Sequence, residues 1–184
     1  MTPELIAMGE SEYQRWLQSR LEATGALGDV FPFMVSRNVP QYLLRKLWPE
    51  IWDGFAASPG IVMFGAAEEG WRGRLDNLKA RSGSPGDGDG VRVSFRKTYV
   101  MECESLLVLT RPADESDDVV LVWLPRARDE AGDARASDAP TWTRRTEPGL
   151  SMERSDGPPA HHYIVEGNLK VPLDHVLRVG RRTY

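Results

Sequence analysis

Strict alternation dominates one stretch of the chain. Over residues 91–103 the odd positions read Val91, Val93, Phe95, Lys97, Tyr99, Met101 and Cys103; the even positions from 92 to 104 read Arg92, Ser94, Arg96, Thr98, Val100, Glu102 and Glu104. Successive strand side chains point to opposite faces, so one face is mostly apolar and the other mostly charged. No residue in 91–111 signals a tight turn, which predicts one very long strand, or two strands joined by a bulge near Ser105. Residues 106–109 and 119–124 are continuous apolar runs, the pattern of strands covered on both faces. Together they predict an antiparallel hairpin with a buried closed end, its Val91 end projecting with one wet face.

In the first third the period changes to three and four. Thr2 precedes Pro3, which predicts a capped short helix closed by Gly9. Ser11 and Gln14 have capping-box spacing, and Tyr13, Trp16, Leu17 and Leu21 fall on one face before Gly25. Pro32 within the apolar residues 30–35 predicts an edge or extended segment. Pro40 then opens a helix whose stripe is Leu44, Leu47, Trp48, Ile51, Trp52 and Phe55, and Pro49 inside it predicts a kink or two abutting helices. Residues 60–65 read as a short apolar strand between glycines, and Trp71, Leu75 and Leu78 as a short helix.

Two tracts lack periodicity. Residues 81–90 have the composition of a flexible linker, and 126–160 form a long polar insertion anchored by Trp142, Leu150 and Met152. Gly167-Asn168 between apolar runs signals a second hairpin, with Pro172 confining its return strand to an edge. The fold class that follows is α+β: one domain over 1–184, with N-terminal helices packed on an antiparallel sheet.

Composition narrows the function classes. The chain has 184 residues and a formal net charge of -4, so bulk affinity for nucleic acid or anionic membrane is not expected. Only residues 141–145, with Trp142, Arg144 and Arg145, have the aromatic and basic character that nucleic acid favours. No apolar run approaches a membrane span and no leader is evident, which places the expected site of action in the cytoplasm. Cys103 is the single cysteine, which excludes an internal disulfide and reads as a buried small hydrophobe.

Catalytic signals are sparse. His161 and His162 would point to opposite faces of a strand, so a site of His162, His175 and Glu102 requires the sheet to bring them together. Glu102 and Glu104 share a face about 7 Å apart. Gly65 and Gly70 bracket neither a P-loop nor a dinucleotide fingerprint, and Asp87 and Asp89 lack calcium-loop spacing. No cofactor and no metal is expected from motifs.

The order of elements (a helix over 13–21, a strand over 61–64, the long strand over 91–109 with its partner over 119–124, then late strands) resembles that of phage tail-terminator and head-to-tail completion proteins. That resemblance implies a non-enzymatic, ring-forming subunit of a virion assembly, a homo-oligomer contacting other structural proteins. It would place Arg92, Arg96, Thr98, Glu102, Glu104, Trp142, Arg144, Arg145, Arg181 and Arg182 at the interfaces. Two alternatives stay open: a small enzyme using His162, His175 and Glu102 beside the sheet, and an acidic adaptor or immunity-type binder.

Overall fold

The computed structural model describes residues 1–84, 90–114, 116–125, 139–147 and 149–180. The predicted interface residues Arg181 and Arg182, and residues 85–89, 126–138 and 148 of the 81–90 and 126–160 tracts, lie outside them. Helices α1 (Pro3–Ala7), α2 (Glu10–Thr24), α3 (Phe31–Ser36), α4 (Tyr42–Leu47) and α5 (Pro49–Ala57) come first. Strands β1 (Val62–Gly65), β2 (Arg81–Ser82), β3 (Gly90–Met101), β4 (Ser105–Pro112), β5 (Val119–Leu124), β6 (Thr141–Arg144), β7 (Ser151–Met152), β8 (Ala160–Pro172) and β9 (Val176–Val179) follow. The α+β class is therefore as the pattern predicts, although the sheet is mixed: β1 and β2 run parallel to β4.

Local chemistry explains the helix boundaries. Thr2 Oγ1 accepts from Leu5 N at 3.4 Å, capping α1. Gly9, not Ser11, stands at the N-cap of α2, and Gly25 at φ 66 ends it. Pro32 sits in the first turn of α3, where a missing N–H costs nothing, so this segment is helical rather than extended. Pro40 does not open a helix; it lies inside a π-helical turn, Arg37–Gln41, that carries α3 into α4. Pro49 does open α5, after Trp48 leaves helical geometry, which gives two abutting helices. Ser36 ties this layer to the sheet: its buried hydroxyl accepts from Val62 N at 3.0 Å and from Gln41 Nε2 at 3.1 Å.

The main path of the sheet runs β6-β8-β3-β2-β4-β5-β9, with β1 beside β4 and β7 beside β8. The hairpin of β4 and β5 forms as expected, from Leu106 opposite Leu124 to Thr110 opposite Val120. The long run divides into two strands just before Ser105, the second of the two expectations, though at a break and not a bulge. Its break falls at residues 102–104, where Glu104 turns to Ile61: Glu104 N donates to Ile61 O at 3.0 Å, and Ile61 N donates to Glu104 Oε2 at 2.5 Å. Beyond the break β3 leaves β4 and pairs with β8, so the Val91 end does not project but lies against Val171.

Gly167 and Asn168 make no turn. They sit inside β8 opposite Phe95 and Ser94, and a Cβ on Gly167 would lie 3.1 Å from Phe95 ring atoms. The glycine is there for close approach, one of the two readings a strand glycine carries. After β8 a 3₁₀ turn over Leu173–His175 leads into β9, which pairs with β5. Between β1 and β2 only Leu75–Asn77 form a helical turn, in place of the predicted short helix. Arg81 and Ser82 are strand residues joining β3 to β4 rather than linker.

Two cores follow from β4 and β5. Leu106, Val108, Val120 and Val122 pack with Val91, Val93 and Phe95 of β3 and Val165, Leu169 and Val171 of β8. Leu107, Leu109, Leu121 and Trp123 face the other way, onto Leu44, Trp48 and Phe55 of the helices. Leu106, Leu107 and Val108 are fully buried, each contributing roughly 1.5–3 kcal/mol. A smaller cluster of Tyr13, Leu17 and Val30 anchors α2. No helix among the described residues is long and apolar enough to cross a membrane.

Candidate functional site

One irregularity organises the chemistry. Lys97 pairs with Val165 and Val100 with Tyr163, so Thr98 and Tyr99 of β3 together oppose Ile164 of β8. This is a β-bulge, which shifts the phase of a strand by one residue. Alternation alone would bury Tyr99 and expose Val100, but Tyr99 is 51% exposed and Val100 only 2%. Tyr99 has φ 60, a left-handed conformation disfavoured for a residue with a Cβ.

Beneath the bulge is a buried ion pair. Lys97, the one cation on the apolar face of β3, places Nζ 2.5 Å from Glu68 Oε1. Glu68 also accepts from Lys79 N at 2.6 Å and Ala80 N at 3.1 Å. Burial pushes the Lys97 ammonium down to about 8, and the Glu68 carboxylate works against that shift. Thr98 N donates to Ala67 O at 2.8 Å, so the same loop grips both sides of Lys97. The Thr98 hydroxyl is buried without a partner among the described residues.

Above the bulge, polar and aromatic groups gather around Tyr99. The Arg145 guanidinium lies 4.4 Å from its ring centroid, and His162 meets the ring edge-on at 6.2 Å. Arg145 Nη2 donates to Glu147 Oε1 at 2.6 Å, which holds the Glu147 carboxyl down at about 2. Arg145 N donates to His162 O at 2.9 Å. His162 Nδ1 is 3.0 Å from Leu150 O, and since a carbonyl oxygen only accepts, Nδ1 carries the hydrogen of that contact. The loop after β6 therefore binds to the start of β8 and covers one side of Tyr99.

The predicted catalytic set does not converge. Glu102 follows Met101, the register partner of His162, so those two share one end of the β3–β8 pair. His175 lies beyond Pro172, about 33 Å along β8 from His162 at strand rise. His161 is lowered, first by burial and then by Arg144 and Arg154 nearby. Among the described residues no group of three His, Cys, Asp or Glu is placed to hold a metal.

Several of the residues expected at assembly interfaces make contacts within the chain. Arg92 donates to Asn168 Oδ1, Arg96 pairs with Glu166 at 3.3 Å and Glu69 at 3.8 Å, and Thr98 is buried. Glu104 holds Ile61, and Trp142 packs edge-on to Tyr163 at 5.5 Å. Lys97, Glu68, Tyr99 and Glu147 were not singled out as site residues by pattern. Lys97 was the readable one, since a lone cation on an apolar strand face needs a partner.

No family model and no curated protein sequence matches the chain. Solved structures do match. Acyl-CoA oxidase 1 of Yarrowia lipolytica superposes with a TM-score of 0.70 at 12% identity, over 95% of this chain and 27% of that one. Butyryl-CoA dehydrogenase of Megasphaera elsdenii gives 0.61 at 10% identity, over 82% and 38%. Acyl-CoA oxidase 1 of Arabidopsis thaliana gives 0.60 at 11%, over 79% and 24%. The chain thus spans well under half the length of these structures. The likeness overturns the resemblance to phage tail-terminator and completion proteins, and with it the reading as a non-enzymatic virion component: helix and strand order is shared by both descriptions, but the pairing of β3 with β8 and the helices over β4 and β5 are not what the phage layout was built on. At this identity the shared property is the fold: five N-terminal helices and a mixed sheet, arranged as in a segment of the acyl-CoA oxidases and dehydrogenases.

Proposed function

We propose that the chain serves as the sheet module of an enzyme that oxidises acyl thioesters, with the Tyr99 face of the β3 bulge turned toward the reacting groups. The observation that carries this reading is Tyr99 itself: a half-exposed aromatic ring held at φ 60, in a fold otherwise matched over 95% of the chain by an acyl-CoA oxidase. Backbone strain of this kind gathers at functional sites, because surrounding structure must maintain it. Here the surrounding structure is the Lys97–Glu68 pair below and the Arg145–Glu147 clamp above.

Removing two electrons from an acyl chain is cofactor chemistry, since no ordinary side chain accepts a hydride. The residues present suit one part of such a group. Tyr99 offers a half-exposed ring on which a planar redox system stacks, and Arg145, paired with Glu147, holds that ring from one side. His162, with Nδ1 committed to Leu150 O, has Nε2 left for a further hydrogen bond. In this reading these residues bind and orient, and the rest of the site comes from protein beyond the segment that matches. Self-association belongs to the same proposal; Tyr42 and Val39, 60% and 41% exposed on the helical layer, support it, and light scattering after size exclusion reads it.

The test is calorimetric titration of the full chain with butyryl-CoA, alongside Tyr99→Ala. Saturable binding that Tyr99→Ala weakens by about tenfold, equal to 1.4 kcal/mol, supports the proposal. Absence of binding, or binding indifferent to Tyr99→Ala, removes it.

A further inference from the structure

Consecutive residues after β1 are tied one by one to consecutive residues of β3. Ala67 O accepts from Thr98 N at 2.8 Å, Glu68 Oε1 takes Lys97 Nζ at 2.5 Å, and Glu69 Oε2 lies 3.8 Å from Arg96 Nη1. The loop therefore lies antiparallel on the strand just before the bulge. The Glu69–Arg96 tie is open to solvent, where ion pairs contribute little, whereas the Glu68–Lys97 tie is enclosed. The same Glu68 carboxylate accepts from Lys79 N at 2.6 Å and Ala80 N at 3.1 Å. One side chain thus fastens both ends of the loop to β3. Between those ends Gly70, Arg72 and Gly73, all at positive φ, turn the chain back.

We propose that Lys97 and Glu68 are positioning residues for Tyr99: they latch the loop after β1 to the bulge, so that loop and ring open and close as one unit. Thr98 and Tyr99 share the single partner Ile164 across β8, so the ladder leaves this pair loosely held. The loop makes up the deficit by gripping Thr98 N and, one residue earlier, the Lys97 side chain. The stem of Lys97 crosses Gly65, where a Cβ would lie 3.3 Å from Lys97 Cγ, so the glycine leaves room for the latch. Glu68 is the charged group that faces Lys97 from the loop; Gly65 of β1 and Val165 across β8 bring none. A lysine freed by opening keeps its proton to higher pH than one buried here, so above about pH 8 opening takes up a proton. That the positioned ring serves an acyl thioester rests on the reading above; the latch itself does not.

The experiment is hydrogen exchange of the full chain, read by two-dimensional NMR at pH 7, 8 and 9, with and without butyryl-CoA. The amides of Lys79, Ala80 and Thr98, on two separate segments, are expected to share one opening equilibrium. Exchange from an open amide speeds up about tenfold per pH unit, and a proton-linked opening falls by about the same factor above pH 8. The three amides should therefore exchange faster from pH 7 to 8 and at a level rate from 8 to 9. In Lys97→Met/Glu68→Gln the rise should continue to pH 9, and butyryl-CoA affinity should fall at least about tenfold with Tyr99 intact. In the native chain butyryl-CoA should slow all three amides by a common factor. Unrelated opening of the three, a continued rise above pH 8 in the native chain, or undiminished binding by the double variant each overturn the proposal. A shared, proton-linked opening that butyryl-CoA leaves untouched supports the latch and removes the acyl-thioester reading instead.

Discussion

Lys97 Nζ and Glu68 Oε1 meet 2.5 Å apart, 29 positions apart in sequence, with almost none of either side chain open to solvent. A buried pair adds little to stability relative to an apolar replacement, but breaking one half leaves an uncompensated charge. Lys97→Met is therefore expected to destabilise the fold by about 3 kcal/mol or more. Lys97→Met/Glu68→Gln should recover part of that loss, as the carboxylate charge goes with its partner. Urea unfolding of both variants measures the difference, and a double variant no more stable than the single one would sink the account.

The same lysine sets a pH dependence. Its folded value of about 8 lies below the ordinary 10.5, so between these the unfolded chain binds more protons than the folded one. Stability is predicted to rise with pH from about 8, after a flat region below it. Tyr13 opposes this at higher pH: burial lifts its phenol from 10 to about 12, so the folded state holds its proton longer and stability falls across that window. Unfolding midpoints should therefore be level from pH 7 to 8 and climb from 8 to 9 in the native chain, while staying level over both intervals in Lys97→Met; above 9 the buried Cys103 thiol, which keeps its proton only in the folded state, offsets the gain.

Close approach decides the fate of Gly167. A methyl there would sit 3.1 Å from two Phe95 ring carbons and from Leu169 Cγ. Gly167→Ala is predicted to cost about 1–3 kcal/mol by overpacking, and Phe95→Leu in the same chain to relieve part of it. Thermal unfolding of the two variants checks this, and a neutral Gly167→Ala would mean that β8 shifts freely on β3.

These cases show what the pattern of residues could and could not reveal. Leu106 to Leu109 and Val119 to Leu124 were legible because both faces are covered, and burial on two sides needs no knowledge of the partner. Pro49 was legible because its effect is local. Gly167-Asn168 misled because a turn and a close approach use the same residue, and Phe95 lies 72 positions away. Tyr99 and Val100 misled because one extra residue in β3 inverts every later side chain. Lys97 was readable as a lone cation on an apolar face, although it was not singled out, and its partner depends on the loop that follows β1, which no local signal reports.

Cys103 is buried, and its surroundings push the thiol well above its ordinary value. A thiol reagent is predicted to leave the native chain unmodified and to react fully once guanidinium unfolds it. Rapid modification under native conditions would show that the break between β3 and β4 opens.

Strain and binding can be separated at Tyr99. Replacing it with glycine removes a left-handed conformational cost of roughly 1–2 kcal/mol, while forfeiting a contact with Arg145 of about 0.5–1 kcal/mol. Tyr99→Gly is therefore expected to be as stable as the parent or more so, whereas Tyr99→Val, with a β-branched side chain at φ 60, should be less stable than either. Binding of butyryl-CoA should fall in both, because both lack the ring. Chemical unfolding ranks the first property and calorimetry the second. If Tyr99→Gly gains stability and loses the ligand, the bulge holds a strained aromatic for the sake of a partner; if it gains stability and binds as before, the strain serves packing alone and the acyl-thioester reading loses its site.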